Sequence, residues 1–216
     1  MYVPKQHEET DPSVLHSLIR VHPLGTWITQ GESELIVNHI PFILDPSRGD
    51  CGTLIGHVAR ANGVWQSFSK TSHSVVVFQG AESYITPSWY PSKHAHGKAV
   101  PTWNYAVVHA SGLPVAIEDK DWLLDHLNQL TNLHEADQVL PWKVSDAPPD
   151  YIERMIGAIV GIEIPISKLV GKWKISQNRP EQDKLGIVAG LLAKEDQRSK
   201  EMAALVNASV SLDTHG

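Results

Sequence analysis

Four stretches of the chain bring together side chains suited to binding a charged small molecule. The first is Asn38-His39-Ile40-Pro41-Phe42. Strand alternation puts Asn38 and Ile40 on one face and His39 on the other. The second is Gly56-His57-Val58-Ala59-Arg60-Ala61-Asn62, whose arginine falls where the chain leaves a strand. The third runs Pro87-Ser88-Trp89-Tyr90-Pro91-Ser92-Lys93 and resumes at Pro101-Thr102-Trp103-Asn104-Tyr105. The fourth is Gly171-Lys172-Trp173-Lys174-Ile175-Ser176-Gln177-Asn178-Arg179. An arginine fork meets phosphate through paired, charge-assisted hydrogen bonds. Tryptophan offers a ring face or edge. Asn and Gln present donors and acceptors to amide and imide edges. Singly, each residue has an ordinary use: His39 and His57 as hydrogen-bonded spacers, the tryptophans as core, Arg60 as an ion-pair partner. Together they suit a flat ring with a phosphate tail. Several phosphorylated heterocycles have that chemistry, flavin mononucleotide (FMN) among them.

These segments need elements to hold them. Asp11-Pro12 followed by Val14, Leu15, Leu18 and Ile19 predicts a short capped helix. The runs 25–29, 35–44, 53–58, 74–79, 82–86 and 100–109 then read as short strands. Turn residues such as Gln30-Gly31, Asp45-Pro46-Ser47-Arg48-Gly49-Asp50 and Gly80 punctuate them. Regular short strands with tight turns imply an antiparallel sheet or barrel rather than βαβ units. Residues 119–133 are predicted helical, with Trp122, Leu123, Leu127 and Leu130 as the buried stripe. A second helix follows Pro148-Pro149-Asp150, with Tyr151, Ile152, Met155, Ile156, Ile159 and Val160 on one face. Residues 161–168 alternate as a strand, and 180–192 read as a further helix. The expected organisation is one domain over 1–193. A polar C-terminal helix or tail, partly flexible, follows over 194–216.

Composition excludes several classes. The chain has 216 residues, with 18 Lys+Arg against 24 Asp+Glu and a formal charge of −6. That field opposes nucleic acid, so direct DNA binding is not expected. A single cysteine, Cys51, excludes an intrachain disulfide and multi-cysteine metal sites. No apolar run approaches a bilayer span, and the N-terminus lacks a signal-peptide pattern, so a cytoplasmic protein with no membrane partner is expected. No P-loop, GxGxxG or GxSxG motif occurs. Ser67-Phe68-Ser69-Lys70 matches SxxK without its partner motifs. His94-Ala95-His96 sits between Lys93 and Lys98, which repel a cation, so no metal is expected there. Gly157-Ala-Ile-Val-Gly161 reads as a close-packing pair. No HExxH spacing supports a hydrolase, and no catalytic residue is identified.

In order along the chain, Pro23-Leu24-Gly25-Thr26, Asn38–Phe42, Gly56–Asn62, Pro87–Lys93, Val100–Tyr105 and Gly171–Arg179 resemble the PaiB family of FMN-binding negative transcriptional regulators of bacteria. The resemblance implies a β-rich α+β fold, an antiparallel FMN-binding split barrel of the pyridoxamine-phosphate-oxidase type with peripheral helices. It also implies a homodimer, with FMN as cofactor at the subunit interface. On that basis Asn38, His39, His57, Arg60, Ser88, Trp89, Lys93, Thr102, Trp103, Asn104, Lys172, Trp173, Gln177 and Arg179 are the cofactor-binding candidates. The wider superfamily commonly carries Arg or Lys where this chain has Asn38-His39. Its C-terminal Trp-Gln…Arg segment is similar to Trp173, Gln177 and Arg179. Two functions stay open: a flavin-dependent or ligand-sensing regulator, and a flavin-dependent oxidoreductase acting on an unidentified small molecule.

Overall fold

The computed structural model describes residues 1–31, 34–68 and 73–213. Ser69 and Lys70 of the SxxK stretch lie outside the described residues, as do the side chains of His94 and His96. The strands are β1 (Glu8–Glu9), β2 (Leu24–Gln30), β3 (Leu35–Pro41), β4 (Ile43–Asp45), β5 (Thr53–Ala59), β6 (Ser74–Ile85), β7 (Thr102–Gly112), β8 (Val115–Ile117) and β9 (Ile159–Lys174). The helices are α1 (Pro12–Val21), α2 (Pro91–His96), α3 (Lys120–Glu135), α4 (Pro149–Gly157), α5 (Glu181–Leu192) and α6 (Gln197–Asp213). The strands order as β3-β2-β6-β7-β9-β5-β4, with β1 and β8 also paired to β9. This is the antiparallel β-rich α+β architecture expected from the sequence.

The chain divides into two compact units. Unit 1 is Met1–Leu18, Gln79–Val108 and Val170–Gly216; unit 2 is Ile19–Phe78 and His109–Leu169. Helix α1 and strands β6, β7 and β9 contribute residues to both.

In unit 2, β2 pairs with β3 from Leu24↔Pro41 to Gln30↔Leu35 and with β6 from Thr26↔Val77 to Thr29↔Ser74. Strand β5 pairs with β9 from Thr53↔Pro165 to Ala59↔Ile159. Trp27, Phe42, Phe78, Leu54, Ile162 and Ile164 are fully buried or nearly so. The β4–β5 connection is the expected turn: Asp45 accepts from the Ser47 amide at 3.0 Å, and Gly49 and Gly52 take φ of 77° and 91°. Such angles suit glycine because no Cβ opposes them.

In unit 1, α5 and α6 pack on each other around Ile187, Leu191, Met202 and Val206, all fully buried. Of the expected polar helix or tail, Gln197–Asp213 is helical and carries a buried apolar stripe, which its spaced apolar residues did not disclose. Asp11 caps α1 through the Ser13 amide at 2.8 Å, as its sequence implied.

Three local expectations are corrected. Residues 74–85 form one strand through Gly80, not two. A side chain at Gly80 would meet Leu18 and the Ala106 carbonyl, so this glycine permits close approach and makes no turn. Residues 35–44 are two strands, interrupted at Phe42. Helix α4 ends at Gly157, which leaves Ile159 and Val160 on β9. Of the proposed stripe within α4, Ile156 is buried while Tyr151 and Met155 are exposed.

Candidate functional site

The candidates divide between the units: Asn38, His39, His57 and Arg60 belong to unit 2, and the others to unit 1.

In unit 2, Asn38 lies opposite Trp27 in the β2–β3 register. Directly paired residues share a face, so their side chains stand side by side toward the core. His39 points the other way and is exposed. Asn38 Oδ1 accepts from Asn62 Nδ2 at 2.7 Å, but its own Nδ2 is buried without a partner. Trp27 Nε1 and Thr29 Oγ1, on the same face of β2, are buried without partners too. Most buried polar atoms in folded proteins are hydrogen-bonded, so orphans concentrated on one face are a signal.

Arg60 follows the last residue of β5, where the sequence put it. Its Nε donates to the Gly157 carbonyl at 2.9 Å, Nη2 to the Ile159 carbonyl at 3.1 Å and Nη1 to Glu118 at 2.5 Å. The guanidinium carbon lies 5.7 Å from the Trp65 ring centre. Arg60 thus ties the α4–β9 junction to the end of β5.

His57 does not stand alone. Its Nδ1 is 2.9 Å from Nε2 of His126 on α3. Trp122 stacks on His126 at 5.5 Å, and its indole donates to Glu163 at 3.1 Å. Arg48 holds Glu163 through two contacts of 2.7 Å. Burial lowers the His57 pKa. Burial and then repulsion by His57 push His126 down to about 4. Hydrogen bonding from Arg48 lowers the Glu163 pKa. Both imidazoles are therefore neutral at pH 7.

In unit 1, the third sequence stretch is largely structural. Trp89 packs over Gly186 and Gly190 of α5, with the Lys194 ammonium 5.3 Å from its ring centre. Ser88 and Lys93 are exposed. Asn104 is fully buried and hydrogen-bonded to Ser176 at 2.9 Å. Gln177 spends its amide locally, accepting from the Ile175 amide at 2.9 Å and donating to the Trp173 carbonyl at 2.5 Å. Trp173 is core. Trp103 is half exposed, its indole donating to Glu82. Thr102 accepts from Lys174, Lys172 lies 5.3 Å above Tyr105, and Arg179 lies 4.7 Å from the Tyr90 ring centre. Thr102 and Arg179 line one small cavity with Lys174 and His7.

Sequence reasoning missed Trp27, Thr29, His126, His7 and Lys174 as polar participants. His126 had a signal, since it falls four residues after Trp122 on the apolar stripe of α3. Gly161 had one too: a side chain there would collide with Trp122, whereas Gly157 faces open space.

A family model described as "Putative FMN-binding domain" matches residues 1–168. The chain belongs to that family. The Protease synthase and sporulation protein PAI 2 of Bacillus subtilis (strain 168) is 30% identical over 206 residues, covering 95% of this chain and 96% of the relative. The PaiB-type resemblance seen in the motifs is thereby borne out. An uncharacterised protein of Emericella nidulans is 35% identical over 225 residues, 88% of this chain and 90% of its own length. The family therefore extends beyond bacteria. Among solved structures, the flavocytochrome Anf3 from Azotobacter vinelandii matches with a TM-score of 0.60 at 13% identity, over 80% of this chain and 72% of that one. That likeness is one of fold. Among the described residues, no helix is long and apolar enough to cross a membrane, and no cluster of three metal-ligating side chains occurs.

Proposed function

We propose that this protein binds FMN through unit 2 and acts as a ligand-responsive regulator. The observation that carries the flavin reading is the set of unpaired atoms on the inner face of β2–β3: Trp27 Nε1, Thr29 Oγ1 and Asn38 Nδ2. A buried donor without an acceptor costs about 1–3 kcal/mol, which a bound acceptor recovers. The chemistry fits a flavin, whose ring carbonyls and phosphate oxygens are acceptors. Asn38 and Trp27 would meet the ligand, His57 would flank it, and Arg60 would face its phosphate; His39, on the opposite face of β3, is left out of this site. When bound, FMN supplies reversible electron transfer. The protein's part is to orient the ring and exclude water.

A regulatory role is supported by the Bacillus relative, whose name refers to protease synthesis and sporulation. Direct DNA contact is not part of the proposal, because a chain of charge −6 gains little from counterion release. A homodimer is part of it. Strand β3 ends the strand order and exposes Leu35 by 62% and Val37 by 52%, apolar surface on an edge that a second copy would cover. Sedimentation at micromolar concentration would then give twice the chain mass of 23.9 kDa.

The test is a fluorescence titration of FMN and riboflavin into wild type, Asn38→Leu and Arg60→Ala. Asn38→Leu is expected to weaken both ligands by about tenfold, the worth of one hydrogen bond. Arg60→Ala is expected to weaken FMN alone. Unchanged binding in Asn38→Leu sinks the unit 2 site. Equal losses for both ligands in Arg60→Ala would leave that residue with its structural role only.

A further inference from the structure

We propose that a cavity in unit 1 is a binding site for a small oxyanion, a phosphate or a carboxylate, held by Lys174, Arg179 and His7. The cavity measures about 140 Å³, and its polar wall is His7, Thr102, Lys174, Ser176, Asn178 and Arg179. At about 30 Å³ per water, it has room for a tetrahedral or planar head group. It falls well short of the few hundred Å³ that a whole heterocyclic ligand requires.

The wall is cationic and contains no acid. Lys174 Nζ donates to Thr102 Oγ1 and to the Trp103 carbonyl at 2.7 Å, which fixes the ammonium and leaves it donor capacity. Arg179 rests against the face of Tyr90, which orients its fork without consuming its charge. Lys172 adds a third positive charge: it lowers the pKa of Lys174, after burial, and that of His7, whose lowering also begins with burial. Part-buried positive groups that share a wall with no acid in its lining repel one another, and a bound anion relieves that repulsion.

The second, independent observation is His7. It is only 8% exposed, it lines the cavity, and its Nδ1 is buried with no partner. Strand β1 fixes it there, because Glu8 and Glu9 pair with Lys172 and Gly171. The far wall is equally set. Ser176 takes a φ of 62°, unusual for a residue other than glycine, and is bonded to the fully buried Asn104. A strained backbone held by a buried amide is an arrangement that preorganises a binding wall.

Every residue that lines this cavity belongs to unit 1, whereas the flavin site proposed above rests on unit 2. The oxyanion has two conceivable sources, a free small anion or the phosphate of FMN itself, and the arms of the experiment separate them. Inorganic phosphate is titrated into the full-length protein at constant ionic strength, and the histidine ring resonances are followed by NMR. Saturable movement of the His7 signals is expected, as is at least a tenfold loss of phosphate affinity in Arg179→Gln and in Lys174→Met. Lys168→Met, outside the cavity, is expected to match wild type. Should Lys174→Met fail to fold, Arg179→Gln and the wild-type His7 signals decide the matter. Competition by FMN but not by riboflavin assigns the cavity to the flavin phosphate; no competition assigns it to a separate anion. Both outcomes uphold the oxyanion chemistry. No saturable movement at His7, or unchanged affinity in both variants, means an adventitious ion only and overturns the proposal.

Discussion

In unit 2 the arginines near the candidate site are paired, Arg48 with Glu163 and Arg60 with Glu118, while neutral donors on β2 and β3 go unpaired. Around residues 172–179 of unit 1 the balance is reversed. There the amides of Asn104 and Gln177 are satisfied inside the protein, and the cations of Lys174 and Arg179 meet no acid at their cavity. The two environments select different ligand chemistry. Orphan neutral donors favour uncharged acceptors such as ring carbonyls, whereas uncompensated cations favour anions. Sequence motifs alone do not make this distinction, because an Arg in a promising segment reads the same whether or not a carboxylate lies across from it.

The largest expected effect tests how each unit supports its tryptophan. Both place glycine under an indole, Gly161 under Trp122 in unit 2 and Gly190 under Trp89 in unit 1, and unit 1 adds Gly186 against the Trp89 carbonyl. The obstacles differ. A Cβ at Gly161 meets a side chain, which can turn; at Gly186 it meets the Trp89 carbonyl, which is backbone. Gly186→Ala is expected to cost about 3 kcal/mol or more, and Gly161→Ala clearly less, since overpacking is relieved where a side chain can shift. Urea midpoints for the two variants check the order. Equal losses would show that the backbone near Trp89 yields as readily as an indole.

The next effect is pH-dependent and belongs to the paired histidines of unit 2. His126 falls from 6.5 to about 4 on folding, through burial and then the proximity of His57. Above about pH 7 it is neutral folded and unfolded, and contributes no slope. As pH falls from 6.5 toward 4, the unfolded chain binds a proton that the folded one refuses, so stability declines. That fall to about 4 corresponds to about 3 kcal/mol, complete below pH 4. His57, lowered in the same direction, adds to the slope. Glu163, which accepts from the Trp122 indole, has its pKa lowered chiefly by the hydrogen bond from Arg48. His126→Phe is expected to flatten urea midpoints measured between pH 7.5 and 4.5. An unchanged slope would place the acid sensitivity elsewhere.

That histidine pair marks the limit of what the sequence disclosed. Local patterns were legible: alternation found most strands, Asp11-Pro12 found the start of α1, Asp119 that of α3, and the Asp45–Gly52 turn carried its own glycines. The motifs gave the family and the fold. Non-local facts were not legible. Gly80 read as a turn because the neighbours that demand a glycine, Leu18 and Ala106, are distant in sequence. His126 pairs with a residue 69 positions away, and Glu118 meets Arg60 across 58. The packing of α6 was not legible, because its buried Met202, Ala203 and Val206 are diluted among polar residues. Of the site, the segments were identifiable, but whether each charge was free or spent depended on tertiary partners.

The smallest effects compare the left-handed backbone positions. In unit 2, Gly49 and Gly52 occupy them. In unit 1, Ser176 and Glu195 do so with φ of 62° and 61°, the non-glycine cases among the described residues. A left-handed conformation costs an L-residue about 1–2 kcal/mol, and glycine returns about 0.5–1 kcal/mol of that through its greater unfolded freedom. Glu195 is exposed just beyond α5, so Glu195→Gly is expected to stabilise by about 0.5 kcal/mol. Ser176→Gly receives the same relief but loses the hydroxyl that satisfies Asn104, which is fully buried. An unsatisfied buried amide costs about 1–3 kcal/mol, so the net change is a loss of about 1 kcal/mol. The two substitutions should therefore move the urea midpoint in opposite directions. Stabilisation by both would show that Ser176 is a strained position with no return from its hydrogen bond, and would remove the reason for a preorganised wall at that cavity.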